Sequence, residues 1–96
     1  MLHELYSIIQ NRRDHPSDNS YTAHLFAGGQ DLILKKVGEE AMEVILAAKG
    51  EGDQRVIEEV ADLFYHTLVL LAGRGISLED IEDELRQRHM SRQASS

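Results

Sequence analysis

No cysteine occurs in the chain. Disulfide staples, thiolate metal ligands and a cysteine nucleophile are thereby excluded, and the absence fits a cytoplasmic protein. No apolar run approaches the roughly 18–20 residues of a membrane span. The start, MLHELYSIIQNRR, lacks the basic segment and continuous apolar core of a signal peptide. A basic excess is also missing. Ten Lys and Arg stand against 17 Asp and Glu, a formal net charge of −7. That argues against nucleic acid or an anionic membrane as partner, since both need a basic surface. It leaves room for a small anionic substrate, because clustered carboxylates can hold a divalent cation that carries the positive charge. No GxxxxGK[ST] loop is present, and Gly28-Gly29 is too short to cradle phosphate. Ser20, Thr22, Thr67 and Ser77 have no Ser–His–Asp context, so covalent catalysis is not expected.

Strand-like alternation is absent as well. Leu2, Leu5, Ile8 and Ile9 have helical spacing and predict a first helix over residues 2–13. A polar loop around Pro16, the only proline, follows. A short helical turn is expected from Tyr21 to Phe26. A long helix is expected from about Asp31 to Lys49 with Gly50 as its stop, and another from about Asp53 to Ala72, ending at Gly73-Arg74-Gly75. Ser77 caps a last helix running to about Met90, with Asp80 completing a capping box and Ile76 and Ile81 at the positions of a hydrophobic staple. The reading is all-α and four-helix-bundle-like, one domain over residues 1–92 with a frayed tail at 93–96. Ile33, Leu34, Val37, Ala41, Val44, Ile45 and Ala48 form a broad apolar stripe on the second long segment, and the third is apolar nearly all round. Helices of that kind need neighbours on more than one side, so a homodimer is expected.

One residue stands out in EEVADLFYHTLVLLA, residues 58–72. Asp62 is the only charged side chain between Val60 and Ala72, and a buried, uncompensated carboxylate costs several kcal/mol. Glu59 stands one turn earlier, on the same face. The preceding helix carries GEEAMEV, with Glu40 and Glu43 also three apart and Glu39 on the flank. Like charges at that spacing repel. Two such pairs on consecutive helices joined by a short connection can face one another across the groove, an arrangement unfavourable when empty and favourable around Mg²⁺ or Mn²⁺. The competing reading is two solvated acidic faces. His66 follows Asp62 by four residues and lies over the same face; it either hydrogen-bonds a metal ligand or is a satisfied buried histidine.

Glu39-Glu40-x-x-Glu43 followed by Glu59-x-x-Asp62 resembles the EExxE…ExxD signature of the MazG-like all-α nucleoside triphosphate pyrophosphohydrolases. The stretches SYTAHLFAGGQDLILKKVGEEAMEVILAAK, EEVADLFYHTLVLL and GISLEDIEDELRQR are similar, more narrowly, to the phosphoribosyl-ATP pyrophosphohydrolase family of histidine biosynthesis. The resemblance implies a helical homodimer that uses Mg²⁺ to hydrolyse the α–β phosphoanhydride of phosphoribosyl-ATP, a small nucleotide substrate, to phosphoribosyl-AMP and pyrophosphate. It implies Glu40, Glu43, Glu59 and Asp62 as metal ligands, and Glu39 as the group that orients or activates water or completes the metal shell. Lys36, in the matching block four residues before Glu40, is expected at a phosphate; the alternative is an ion pair with Glu40. Lys35 and Lys49 are weaker candidates for the same role and are otherwise solvated. Arg88, in the last matching block, would reach a phosphate or the dimer partner. Tyr21 and Thr22 are candidates for touching substrate, or else belong to an N-terminal helix cap. Two other readings stay open: a pyrophosphohydrolase of other nucleoside triphosphates, and a non-catalytic helical dimerisation module.

Overall fold

Two long helices joined by Glu51 and Gly52 form the spine of the fold. The computed structural model describes residues 1–95, with side chains through Met90. Its helices are α1 (Leu2–Asp14), α2 (Tyr21–Gly28), α3 (Gln30–Gly50), α4 (Asp53–Arg74) and α5 (Leu78–Ser95), with no strand among the described residues. The all-α expectation holds. The expected turn at Tyr21–Phe26 is a two-turn helix, because Ser20 caps it by accepting the Ala23 N–H at 3.1 Å. Helix α3 ends at Gly50, as expected, and Gly52, the residue before α4, takes φ 88°, a conformation open to glycine and costly for residues with a Cβ. Gly75, at φ 70°, ends α4 in a left-handed cap, with its N–H on Ala72 O and the Ile76 N–H on Leu71 O. Ser77 and Asp80 form the expected reciprocal box, each side chain accepting the other's N–H at 3.1 Å. Helix α5 continues to Ser95 rather than ending near Met90. Of the expected frayed tail, Ser96 lies outside the described residues.

The core lies at one end of the spine. Ile9 of α1, Leu25 of α2, Ile33 of α3 and Leu68, Val69 and Ala72 of α4 are buried together, with Leu78 at the start of α5. Two polar ties close this end: the Tyr6 hydroxyl donates to Ile76 O, and Arg13 Nη1 donates to Ala72 O at 2.6 Å, satisfying a carbonyl in the last turn of α4. At the other end, where α3 meets α4 near their connection, Ala47 and Glu59 are buried, while Met42, Ile45, Leu46, Ile57 and Phe64 are each about half exposed or more. The α3 stripe read from the sequence is thus covered only in part: Ile33 is buried, but Leu34 and Ile45 are exposed. Among the described residues nothing covers that face fully. Helix α5 is held near its start by Leu78 and by His3, which reaches Glu82 at 3.2 Å and Glu79 at 3.6 Å. The radius of gyration is 15.5 Å, against about 12.5 Å for a compact domain of this length. No helix among the described residues is long and apolar enough to cross a membrane.

Candidate metal centre

The acidic motifs meet in the uncovered half of the spine. The short connection turns α4 back along α3, so GEEAMEV and EEVADL lie opposite one another. Glu39, Glu40, Met42, Glu43, Glu59 and Asp62 line an open groove of about 470 Å³. Carboxylate oxygens of Glu40, Glu59 and Asp62 all lie within 4.8 Å of one another. Glu43 lines the groove without joining that convergence, and Glu39 stands at the rim with Lys36 at 3.6 Å and Lys35 at 3.8 Å.

Burial among the acids differs from the sequence expectation. Asp62 is exposed, because no helix among the described residues covers this side of α4. The buried acid is Glu59, 6% exposed. Its compensating charge is Arg55, one turn earlier, whose Nη2 lies 2.6 Å from Glu59 Oε1 and whose Nη1 lies 2.6 Å from Glu58. An i,i+4 Arg–Glu pair stabilises a helix modestly when exposed, but a buried carboxylate left without its partner is costly. The Glu40 carboxyl is held above the ordinary glutamate range, first by burial, then by the charge of Asp62; His66 opposes the rise, and Glu59 adds to it. A carboxyl whose folded pKa is raised binds its proton more tightly folded than unfolded. Its contribution to stability is therefore present below the ordinary value of 4.5 and is lost as pH rises through the raised pKa. In EDTA, the parent is expected to lose melting temperature relative to Glu40→Gln as pH rises through that interval. Thermal scans across the acidic range check this.

Other candidates fall into place as follows. Lys36 pairs with Glu39 and not with Glu40, because Glu39 is the acid it reaches at i,i+3. Lys49, in the last turn of α3, and Lys35 are exposed. Arg88 lies on α5, outside the groove lining, with Nε 3.0 Å from Glu84. Thr22 is buried and its hydroxyl bonds that of Tyr65, so it is turned into the packing between α2 and α4 and does not line the groove. Tyr21 is half exposed, and its hydroxyl lies 3.0 Å from His66 Nε2. His66 is buried, and its Nδ1 lies 2.8 Å from the main-chain carbonyl of Asp62, one turn back, rather than on any carboxylate. A carbonyl only accepts, so Nδ1 carries the proton, and in the neutral ring Nε2 accepts from Tyr21. Arg55 went unassigned to this site in the sequence reading, although its spacing from Glu59 was there to be read.

These side chains fit a hard divalent cation. Three carboxylates supply oxygen donors from two helices, and the groove is open on one side for water and substrate oxygens. Residues 2–89 match the family described as phosphoribosyl-ATP pyrophosphohydrolase. A phosphoribosyl-ATP pyrophosphatase of Lactiplantibacillus plantarum is 53% identical over 87 residues, 91% of this chain and 82% of that protein. One from Clostridium acetobutylicum is 51% identical over 89 residues, 93% of this chain and 81% of that protein. A histidine biosynthesis bifunctional protein of Oceanobacillus iheyensis is 49% identical over 85 residues, 88% of this chain but 40% of that protein. With its acidic motifs facing each other across one groove and its matches spanning nearly its whole length, the chain belongs to the phosphoribosyl-ATP pyrophosphohydrolase family.

Proposed function

We propose that the chain hydrolyses the α–β phosphoanhydride of phosphoribosyl-ATP to phosphoribosyl-AMP and pyrophosphate, with Mg²⁺ held by Glu40, Glu59 and Asp62 and completed by Glu43. The observation that carries this reading is the convergence of three carboxylates from two helices within 4.8 Å, in a chain of this family. Mn²⁺ is a suitable substitute, being another hard cation that takes oxygen ligands. The reaction forms a bond from water oxygen to phosphorus, breaks the bridging phosphorus–oxygen bond, and releases pyrophosphate. Bound Mg²⁺ supplies positive charge against the phosphate oxygens. In this reading Glu39, which lines the groove, orients the attacking water and takes its proton. Lys36 and Lys35, which pair with Glu39, in the same reading meet the leaving phosphates, and Lys49 lies further along the same helix. No side-chain nucleophile is needed.

The half-exposed apolar face of the spine and the large radius of gyration support assembly as a homodimer, in which helices of two copies complete one bundle. In such an assembly Arg88, free of the groove in its own chain, is available to the partner or to a phosphate. Residues 1–92 act here as one domain, in a cytoplasmic setting that the absence of cysteine fits. Initial rates of pyrophosphate release from phosphoribosyl-ATP and from ATP and GTP test the substrate. A strong preference for phosphoribosyl-ATP is expected; equal rates would favour the general nucleoside triphosphate reading.

A further inference from the structure

His66 is 6% exposed and both ring nitrogens are engaged, one by the Asp62 carbonyl at 2.8 Å and the other by the Tyr21 hydroxyl at 3.0 Å. The Asp62 carbonyl is also the helical acceptor one turn before residue 66, so the imidazole adds a second donor to the peptide unit that carries Asp62. The ring therefore sits directly against the turn from which the Asp62 carboxylate projects. Tyr21 packs edge-on to the ring, with centroids 5.9 Å apart, and is flanked by Tyr65 at 6.3 Å. Tyr21 is the first residue of α2, just after the capping Ser20, so its place is set by the loop that precedes it. Thr22 and Tyr65 form a separate tie between the same two helices.

We infer that His66 is a positioning residue for Asp62, itself held by Tyr21, so that the first turn of α2 sets how tightly the acidic groove binds a divalent cation. This rests on the reading of the groove as a metal site. Metal ligands depend on the groups behind them for their orientation, and loss of such a group typically costs about 10–100-fold in metal affinity. Tyr21→Phe keeps the ring packing and removes only the bond to Nε2. His66→Phe keeps the volume and removes both bonds. His66→Asn places an amide N–H where Nδ1–H stood, restoring the bond to the carbonyl.

Calorimetric titration of the full chain with Mn²⁺, without substrate and near neutral pH, separates this role from simple packing. Relative to the parent, His66→Phe is expected to weaken Mn²⁺ binding at least about 10-fold and Tyr21→Phe by a smaller factor of roughly 3–10, with His66→Asn regaining most of the loss. Tyr65→Phe, which cuts the other tie between α2 and α4, is expected to lower the melting temperature and leave Mn²⁺ affinity unchanged. Parent-like affinity in both Tyr21→Phe and His66→Phe would overturn the inference, as would a loss in Tyr65→Phe equal to that in Tyr21→Phe. A parent that binds no Mn²⁺ would instead overturn the metal reading and this inference with it.

Discussion

Asp62→Asn is expected to abolish thermal stabilisation by Mg²⁺ and to lower kcat/KM by at least about 100-fold, the scale of losing a group that stabilises transition-state charge. The parent should gain about 2.7 kcal/mol from metal at 100 times its dissociation constant, or about 10–20 °C in melting temperature for a domain of this size. Asp62 carries this effect because it is one of three acids whose oxygens converge, and because it is exposed and so free of any packing role. An amide there removes one anionic ligand and relieves repulsion on Glu40. The metal-free variant should therefore be no less stable than the parent, while the metal-dependent increment disappears. Scans with and without Mg²⁺ separate the two effects. A variant that keeps the increment would remove Asp62 from the metal set.

Leu25→Ala should produce the largest loss of stability. Leu25 is 2% exposed and joins α2 to the core formed by Ile9, Ile33, Leu68 and Val69. Truncation of such a leucine costs about 2–5 kcal/mol, since the surroundings close only partly over the cavity. That is a large part of the roughly 5–15 kcal/mol by which small domains are stable. The expected fall in melting temperature is about 10–40 °C, with a urea midpoint shifted in proportion and an unchanged slope. The loss is large because the apolar core is confined to one end of the spine and α2 has few other anchors there. A loss under about 1 kcal/mol would mean that the site collapses freely, against the packing described.

Helix positions were legible because their signals are local. Ser77 and Asp80 cap α5 as their spacing says, and Ser20 caps α2 by the same chemistry. The acidic groove was legible too, since i,i+3 pairs on consecutive helices with a tight connection are brought together by helix geometry alone. What failed was burial. Asp62 looked buried because its neighbours in sequence are apolar, yet the described residues leave much of that apolar face exposed: Phe64 is 50% exposed and Ile57 62%. Hydrophobic periodicity reports how much covering a helix needs and is silent on which chain supplies it. The buried acid is Glu59, with Arg55 as its counter-ion one helical turn away. The contacts of Tyr21 with His66 and of Thr22 with Tyr65 had no sequence signal, because they depend on where the loop before Ser20 delivers α2. Gly50 marks the end of α3 as its position suggests, while the positive φ that leads the chain into α4 falls on Gly52, which the sequence did not single out.

The most direct test of the acidic groove as the reaction centre is pyrophosphate release from phosphoribosyl-ATP by the parent and by Glu40→Gln, each in Mg²⁺ and in EDTA. Rapid release by the parent in Mg²⁺, abolished by EDTA and reduced at least about 100-fold by Glu40→Gln, is the predicted result. Release by the parent that persists in EDTA, or that Glu40→Gln leaves intact, would contradict the account and place the chemistry outside the groove.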